Sequence, residues 1–367
     1  MEQQYYDLLK ELSQAPSPSG FEQPVQRIIR RELAAVADHV ETDVMGNVIA
    51  RLDGCAPQTT SGNGGNNGER TRVMLAGHCD EIGFMVKYVD KKGFIFFAPI
   101  GGVDAHLVPG QRINIHAASG VINGVVGKKP IHLIPAKDRD TVIPFKDQFI
   151  DIGCSSNEEV MQLVQIGDPI TFVPSLERLQ GDLVTSRAFD DKMGAFIVTR
   201  VLQQVAQRGK APVDLYSVTT VQEEVGLRGA SASVYGVNPH VGIAVDVGFA
   251  SDFPGIDKKE VGDLRLGKGP IIARGANINP VLFNLLCQTA HEQNIPYQVV
   301  GMPRATGTDA NVMQLSRGGV AAALVSVPLR YMHSPVEVLS LADLEHTIAL
   351  LSNVIYKIEN SSMFIPM

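Results

Sequence analysis

Residues 72–83 read RVMLAGHCDEIG, an apolar run that gives way at once to a histidine and acids. Val73, Met74, Leu75 and Ala76 follow one another without a polar break, the pattern of a short strand inside a sheet. His78 and Asp80 stand at its carboxyl end, where open α/β sheets collect their ligands. The chain differs in kind on the two sides of this strand, and the difference sets the domain organisation.

On the carboxyl side, residues 82–177 break into strand-like pieces divided by turns: GFMVKYV, FIFFAPI, QRINIHA, GVINGVVG, IHLIP and DPITFVP. No long helical pattern interrupts them, so a compact, barrel-like β domain is expected. Beyond Leu183 helices and strands alternate. DKMGAFIVTRVLQQVAQ reads as a helix, DLYSVTTV and VGIAVDVG as strands, and NPVLFNLLCQTAHEQ as a helix opened by Asn279 and Pro280. YQVVGM and AAALVSV are further strands, and a last helix spans Leu341 to Ile358 with Ser340 as its cap. This alternation predicts an α/β fold with a mixed, largely parallel sheet sandwiched by helices.

On the amino side, Ser19 and Glu22 form the S-x-x-E pattern of a capping box. Val25, Ile28, Ile29, Leu33 and Val36 then recur at helical spacing, which predicts a helix over 20–37. Two short strands flank Gly46-Asn47. The stretch over 56–69 is rich in Gly and Asn, has nothing to bury and reads as a mobile loop. The amino-terminal segment must join the later sheet. The expected organisation is one discontinuous domain, residues 1–81 and 178–367, with the β domain of 82–177 inserted in it.

Composition narrows the function. Of 367 residues, 44% are hydrophobic and 19% charged, as in ordinary globular proteins. The net charge of -7, with no basic stretch to offset it, argues against a nucleic-acid partner. No apolar run approaches the roughly 20 residues that span a membrane. The opening MEQQYYDLLKEL lacks a secretory pattern, so a cytoplasmic location is expected. Cys55, Cys79, Cys154 and Cys287 are scattered and form no CxxC pair, which suits reduced thiols.

Further acids and a second histidine fall at strand ends. Glu223 and Glu224 follow LYSVTTV, Asp246 closes VGIAV, and His333 follows AAALVSVPLRYM. Asp190 and Asp191 stand where a loop enters a helix. Each alone has a plainer explanation, such as a structural histidine, a helix cap or solvated charge. As a set they offer the imidazole and carboxylate donors of a divalent metal site, with zinc the default and cobalt or manganese alternatives. One carboxylate can give an oxygen to each of two ions about 3.5–4 Å apart. Asp80, two residues past His78, can accept the other imidazole N–H and fix the ring.

The segments GHCDEIG, FDDKMG, TTVQEEVG, AVDVG, GTDAN and YMHSPVE, in this order, resemble peptidase family forty-two, the glutamyl, deblocking and tetrahedral (TET) aminopeptidases. The resemblance covers nearly the whole chain. It implies a zinc-peptidase-like catalytic domain acting on peptides with a free N-terminus. It implies two divalent ions per subunit, one held by His78, Asp190 and Asp246, the other by Asp190, Glu224 and His333. Glu223 would be the general base and Asp80 would orient His78. A cis peptide after Asp190 is also implied. So is a homodimer through the inserted domain that often builds a hollow dodecamer.

Relatives with the same ligand order include dinuclear carboxypeptidases and deacylases. In those the gap between His and the first Asp is short, whereas here it holds the whole inserted β domain. A glycosidase reading of Glu223 and Glu224 meets two obstacles. Adjacent residues cannot easily flank one glycosidic bond, and the chain has no Trp to stack sugars. A scaffold with a degenerate site is disfavoured because every ligand position holds a competent residue. The sequence departs from the family at Lys192, where Arg is commoner, and in GKKPIHLIP, which lacks one Pro of the family's loop. His132 in that loop is either a surface residue or a specificity element. Thr308 and Asp309 either line the substrate pocket or open the helix ANVMQL.

Overall fold

The computed structural model describes residues 1–55 and 70–367; the Gly/Asn-rich stretch 56–69, expected to be a mobile loop, lies outside the described residues. Helices α1 (Gln3–Gln14) and α2 (Gln23–Ala34) lead into a hairpin of β1 (His39–Thr42) and β2 (Val48–Leu52), then into β3 (Arg72–His78). Next come β4 (Gly83–Val89), β5 (Ile95–Ile100), β6 (Arg112–Ala117), β7 (Gly120–Gly127), β8 (Phe149–Asp151), α3 (Asn157–Met161) and β9 (Pro169–Phe172). Strands β10 (Glu177–Arg178) and β11 (Leu183–Ser186) return the chain to α4 (Phe189–Arg208). The remainder is β12 (Asp214–Thr220), α5 (Arg228–Val237), β13 (Val241–Phe249), α6 (Lys258–Val261), β14 (Ile271–Gly275), α7 (Pro280–Glu292) and β15 (Gln298–Met302). It ends with α8 (Asp309–Gln314), β16 (Ala321–Leu329), β17 (Glu337–Ser340) and α9 (Leu341–Ile355).

The large sheet is eight-stranded and mixed, in the order β1-β2-β12-β3-β13-β16-β14-β15. Its centre, β12, β3, β13 and β16, is parallel, and antiparallel β2 and β14 flank it. The central strands are buried almost without a break, as strands covered on both faces must be. Side-chain alternation assigns the two covers. Ser217 of β12 donates to the Val198 carbonyl of α4. Gly242 of β13, one residue out of phase in the register, lies against Met313 of α8. Helix α4 therefore covers one face and α8 the other.

Helix α4 comes unusually close to β3. A Cβ on Gly77 would lie 2.4 Å from the carbonyl carbon of Gly194, so glycine is required on the strand. This contact brings the end of β3 and the start of α4, and with them His78 and Asp190, into one place.

Strands β4 to β9 close into an antiparallel barrel, β4-β5-β8-β7-β6-β9, with a hydrophobic core of its own. Phe84 meets Phe97 and Phe172 edge-on, with ring centres 5.1 and 5.3 Å apart. The barrel interrupts the large sheet between β3 and β12, and β10-β11-β17 form a small third sheet.

Three local expectations change. IHLIP is not a strand: Ile131–Leu133 form an exposed 3-10 turn in a loop outside the barrel ladder. Helix α2 starts at Gln23, and Ser19 does not cap it; the Ser19 hydroxyl donates to Asp80 instead. Ser340 precedes α9 but does not cap it either. Its hydroxyl donates to Asp182, whose carboxylate takes the Ala342 N–H. Asn279 does cap α7, accepting from Val281 and Leu282. All four cysteines are free.

The Gly77–Gly194 contact makes a prediction. Gly77→Ala should destabilise the fold by about 1–3 kcal/mol or more, because backbone must move to admit the methyl group. Urea unfolding monitored by circular dichroism measures it; an unchanged midpoint would show that α4 can shift freely.

Candidate metal centre

The parallel pairing of β3 with β13 ends at Ala76 and Ala244. Two residues further on, His78 and Asp246 face a crevice between the parted strands, the usual ligand position of such sheets. Four other residues reach it: Asp190 from the first turn of α4, Glu223 and Glu224 from the turn after β12, and His333 from the turn between β16 and β17. The Asp190–Asp191 peptide is cis, and His333 has a φ of 60°.

Asp190 lies between the two imidazoles. Its Oδ1 is 3.2 Å from His78 Nε2 and its Oδ2 is 3.2 Å from His333 Nε2. Glu224 Oε1 is 3.4 Å from His333 Nε2, and Glu223 Oε2 is 3.8 Å from His78 Nε2. Donor atoms of His78, Glu223 and Asp246 lie within 4.8 Å of one another, as do those of His78, Asp190 and Glu224. His78, Asp190 and Asp246 are buried, whereas the His333 side chain is 34% exposed, so the cluster opens toward solvent at His333.

Hydrogen bonds fix both ring tautomers. His78 Nδ1 is 3.1 Å from the Asp80 carbonyl, and His333 Nδ1 is 2.9 Å from the Gly102 carbonyl. A carbonyl only accepts, so each Nδ1 carries a proton and each Nε2 faces the cluster, as an N–H while the ring is charged and as a lone pair once a cation takes that proton's place. Gly102 belongs to the segment after β5, so the inserted barrel helps orient a histidine of the large sheet.

Crowding shapes the electrostatics. The Asp190 and Glu224 carboxylates beside its Nε2 raise His333 to about 11. Burial resists charging His78, yet Glu223, Asp190 and Asp80 together raise it well above its ordinary value. Burial pushes Glu223 up to about 9 and Asp246 up to about 8; His78 pulls each down, and neighbouring carboxylates push each further up. Asp190 is held below the ordinary carboxylate range: burial opposes this, but His333 and His78 outweigh it.

These residues fit divalent metal. Two imidazole Nε2 atoms and four carboxylates converge, and among the described residues no group makes a hydrogen bond of good geometry to the buried Glu224 Oε1. Donors about 2.0–2.2 Å from a tetrahedral zinc ion would lie roughly 3.3–3.6 Å apart, close to the spacings around Asp190. Divalent cations would also reverse the repulsion that raises the acids.

The remaining candidates lie further out. The Asp80 carboxylate is 3.4 Å from His78 Nδ1, but its hydrogen bonds go to the N–H groups of Glu223 and Glu224 and to the Ser19 hydroxyl. Its backbone carbonyl is the nearer acceptor for the ring N–H, with the carboxylate beside it. Asp309 is the first residue of α8; it is buried, accepts from Thr220, and its charge pushes Glu223 and Asp246 up. Thr308 pairs with Thr306. His132 is exposed in its 3-10 turn, and no hydrogen bond or ion pair among the described residues ties it to the cluster.

Sequence reasoning passed over two supports. Glu337 accepts the Asp190 N–H through Oε2 and the His333 N–H through Oε1, so one buried carboxylate positions two candidate ligands. The signal was an acid opening the buried strand EVLS. Glu81 joins Lys192, Arg187 and the Ser17 N–H in a buried ion cluster beneath the start of α4. Lys192, read above only as a departure from Arg, is wholly buried there.

The model of the M42 glutamyl aminopeptidase family matches residues 60–350. The lysyl aminopeptidase of Pyrococcus furiosus is 39% identical over 94% of this chain and 95% of its own length. The structure of a TET aminopeptidase from a marine sediment Thaumarchaeota archaeon superposes with a TM-score of 0.90 at 32% identity, covering 99% of both chains. The Pyrococcus horikoshii TET1 peptidase, which can assemble into a tetrahedron or a large octahedral shell, superposes at 0.83 with 29% identity over 96% of this chain and 99% of its own. Fold and site together define a peptide-bond hydrolase that uses divalent metal. The chain belongs to the M42 glutamyl aminopeptidase family and is an aminopeptidase.

Removing the shared acceptor tests the support. Glu337→Ala should cost about 1–3 kcal/mol or more for the stranded N–H groups and weaken metal retention. Melting curves with and without zinc report both; an undiminished zinc-induced shift would separate Glu337 from the cluster.

Proposed function

We propose that this aminopeptidase removes the N-terminal residue of peptides by means of two divalent ions that share Asp190. The observation that carries the reading is the pair of Asp190 oxygens, each 3.2 Å from a different imidazole nitrogen. His78, Asp190 and Asp246 would hold one ion, and Asp190, Glu224 and His333 the other. When bound, the ions would acidify water and polarise the scissile carbonyl. Zinc suits the mixed imidazole and carboxylate donors, and cobalt or manganese could replace it.

Glu223 acts as general base: its carboxylate takes the proton of the attacking water and passes it to the departing amine. Its position beside His78, facing the same crevice, supports the role. Asp80 holds Glu223 and Glu224 through their backbone N–H groups. Asp309 and Thr308, at the start of α8, line the approach for the substrate's first residue, and a free N-terminus is required.

The barrel carries the subunit contact. Val121, Val125, Ile131 and Leu133 are exposed on it and its loop, and a homodimer formed there would build a larger assembly, a reading supported by TET relatives that form a dodecamer or a tetrahedron. His132, between two of these residues, would then approach a neighbouring subunit. Among the described residues no helix is long and apolar enough to cross a membrane, and the site of action is proposed to be the cytoplasm.

The two adjacent glutamates should fail differently. Glu223→Gln should lower turnover by about 10²–10⁴ with both ions retained. Glu224→Gln should lose or weaken one ion. Elemental analysis beside turnover numbers tests this; metal loss in the first variant and two ions in the second would exchange the roles. An N-acetylated peptide should resist cleavage where its free counterpart is cut, as mass spectrometry would reveal. Equal turnover of both would refute the exopeptidase reading.

A further inference from the structure

The turn that delivers Glu223 is fastened at four successive backbone N–H groups. Val221 donates to Asn47 Oδ1 at 3.0 Å and Gln222 to Glu22 Oε1 at 3.2 Å. Glu223 donates to Asp80 Oδ1 at 3.0 Å and Glu224 to Asp80 Oδ2 at 3.2 Å. None of the three acceptors belongs to β12 or its turn, so the backbone path there is imposed from outside. The need is evident at Gln222, whose φ of 55° lies in the left-handed region that a side chain other than glycine adopts only when held.

Glu22 is the acceptor at that residue. It is only 3% exposed, and its Oε1 also takes the Gly20 N–H at 2.7 Å. Ser19, three residues earlier, donates to Asp80 Oδ2 at 2.7 Å, so the segment 19–22 grips both Asp80 and the turn. Among the described residues no hydrogen bond or ion pair ties Glu22 to a candidate metal ligand.

We infer that Glu22 is a positioning residue for catalysis: it holds the left-handed Gln222, and thereby aims the Glu223 carboxylate without contacting substrate or metal. The inference rests on the reading of Glu223 as the general base. A misaimed base costs rate steeply, since displacement by about 1 Å can lower turnover by about 10²-fold. The role needs an acceptor oxygen and not a charge, because one oxygen takes both N–H bonds. An amide oxygen can replace it; a methyl group cannot.

The test is kinetics on Glu22→Ala, Glu22→Gln, Glu223→Gln and the double variant Glu22→Ala/Glu223→Gln, with metal content and melting temperature measured on each. Glu22→Ala should lose about 10²-fold in kcat while KM and metal content stay at wild-type values. Glu22→Gln should restore most of the loss. In the Glu223→Gln background, Glu22→Ala should add little, because the group it aims is already disabled. Three results overturn the proposal alone: wild-type kcat in Glu22→Ala, an equal loss in Glu22→Gln, or a full multiplicative loss in the double variant. Undiminished turnover in Glu223→Gln would overturn the base assignment, and the proposal with it.

Discussion

Asp190 divides its two oxygens between two imidazoles, and the surrounding structure serves to keep it there. A carboxylate buried among other carboxylates is costly unless cations or donors compensate it. The rings of His78 and His333 compensate it on its two oxygens, and Glu337 takes its backbone N–H. The same Glu337 fastens His333, so the bridging acid and one of its partners are tied to a single support. The arrangement is asymmetric in exposure. The His78 side is sealed and the His333 side is open, which gives a substrate one direction of approach.

The large sheet supplies the geometry through two features of β3. Its pairing with β13 stops at Ala76, which opens the crevice, and Gly77 lets α4 approach near enough to deliver Asp190. The barrel, inserted at the end of this strand, contributes the Gly102 carbonyl that sets the His333 tautomer. A barrel with its own aromatic core is therefore also part of the site.

Much of this was legible in the sequence, for a physical reason. Apolar runs followed by His, Asp or Glu announce strand ends, and His78, Glu223, Glu224, Asp246 and His333 all follow such runs. The alternation after Leu183 and the turn-rich stretch before it separate sheet from barrel, since burial on one or both faces writes itself into local composition. Contacts between distant segments leave no such mark. Ser19 and Glu22 look like a capping box because the polar side chains that cap helices serve other partners equally well; here the Ser19 hydroxyl donates to Asp80 and Glu22 accepts from the Gln222 N–H, both distant in the chain. Ser340 misleads similarly, with Asp182 doing the capping from the turn before β11. IHLIP has strand composition, but its apolar residues are exposed rather than paired in a ladder.

The central claim concerns where two ions lie relative to one carboxylate. Crystals of the protein grown with zinc, measured on both sides of the zinc absorption edge, test it directly. The account predicts two anomalous peaks per subunit about 3.5–4 Å apart, one on each oxygen of Asp190, the first near His78 and the second near His333. A single peak, or a pair of peaks that Asp190 does not join, would contradict it.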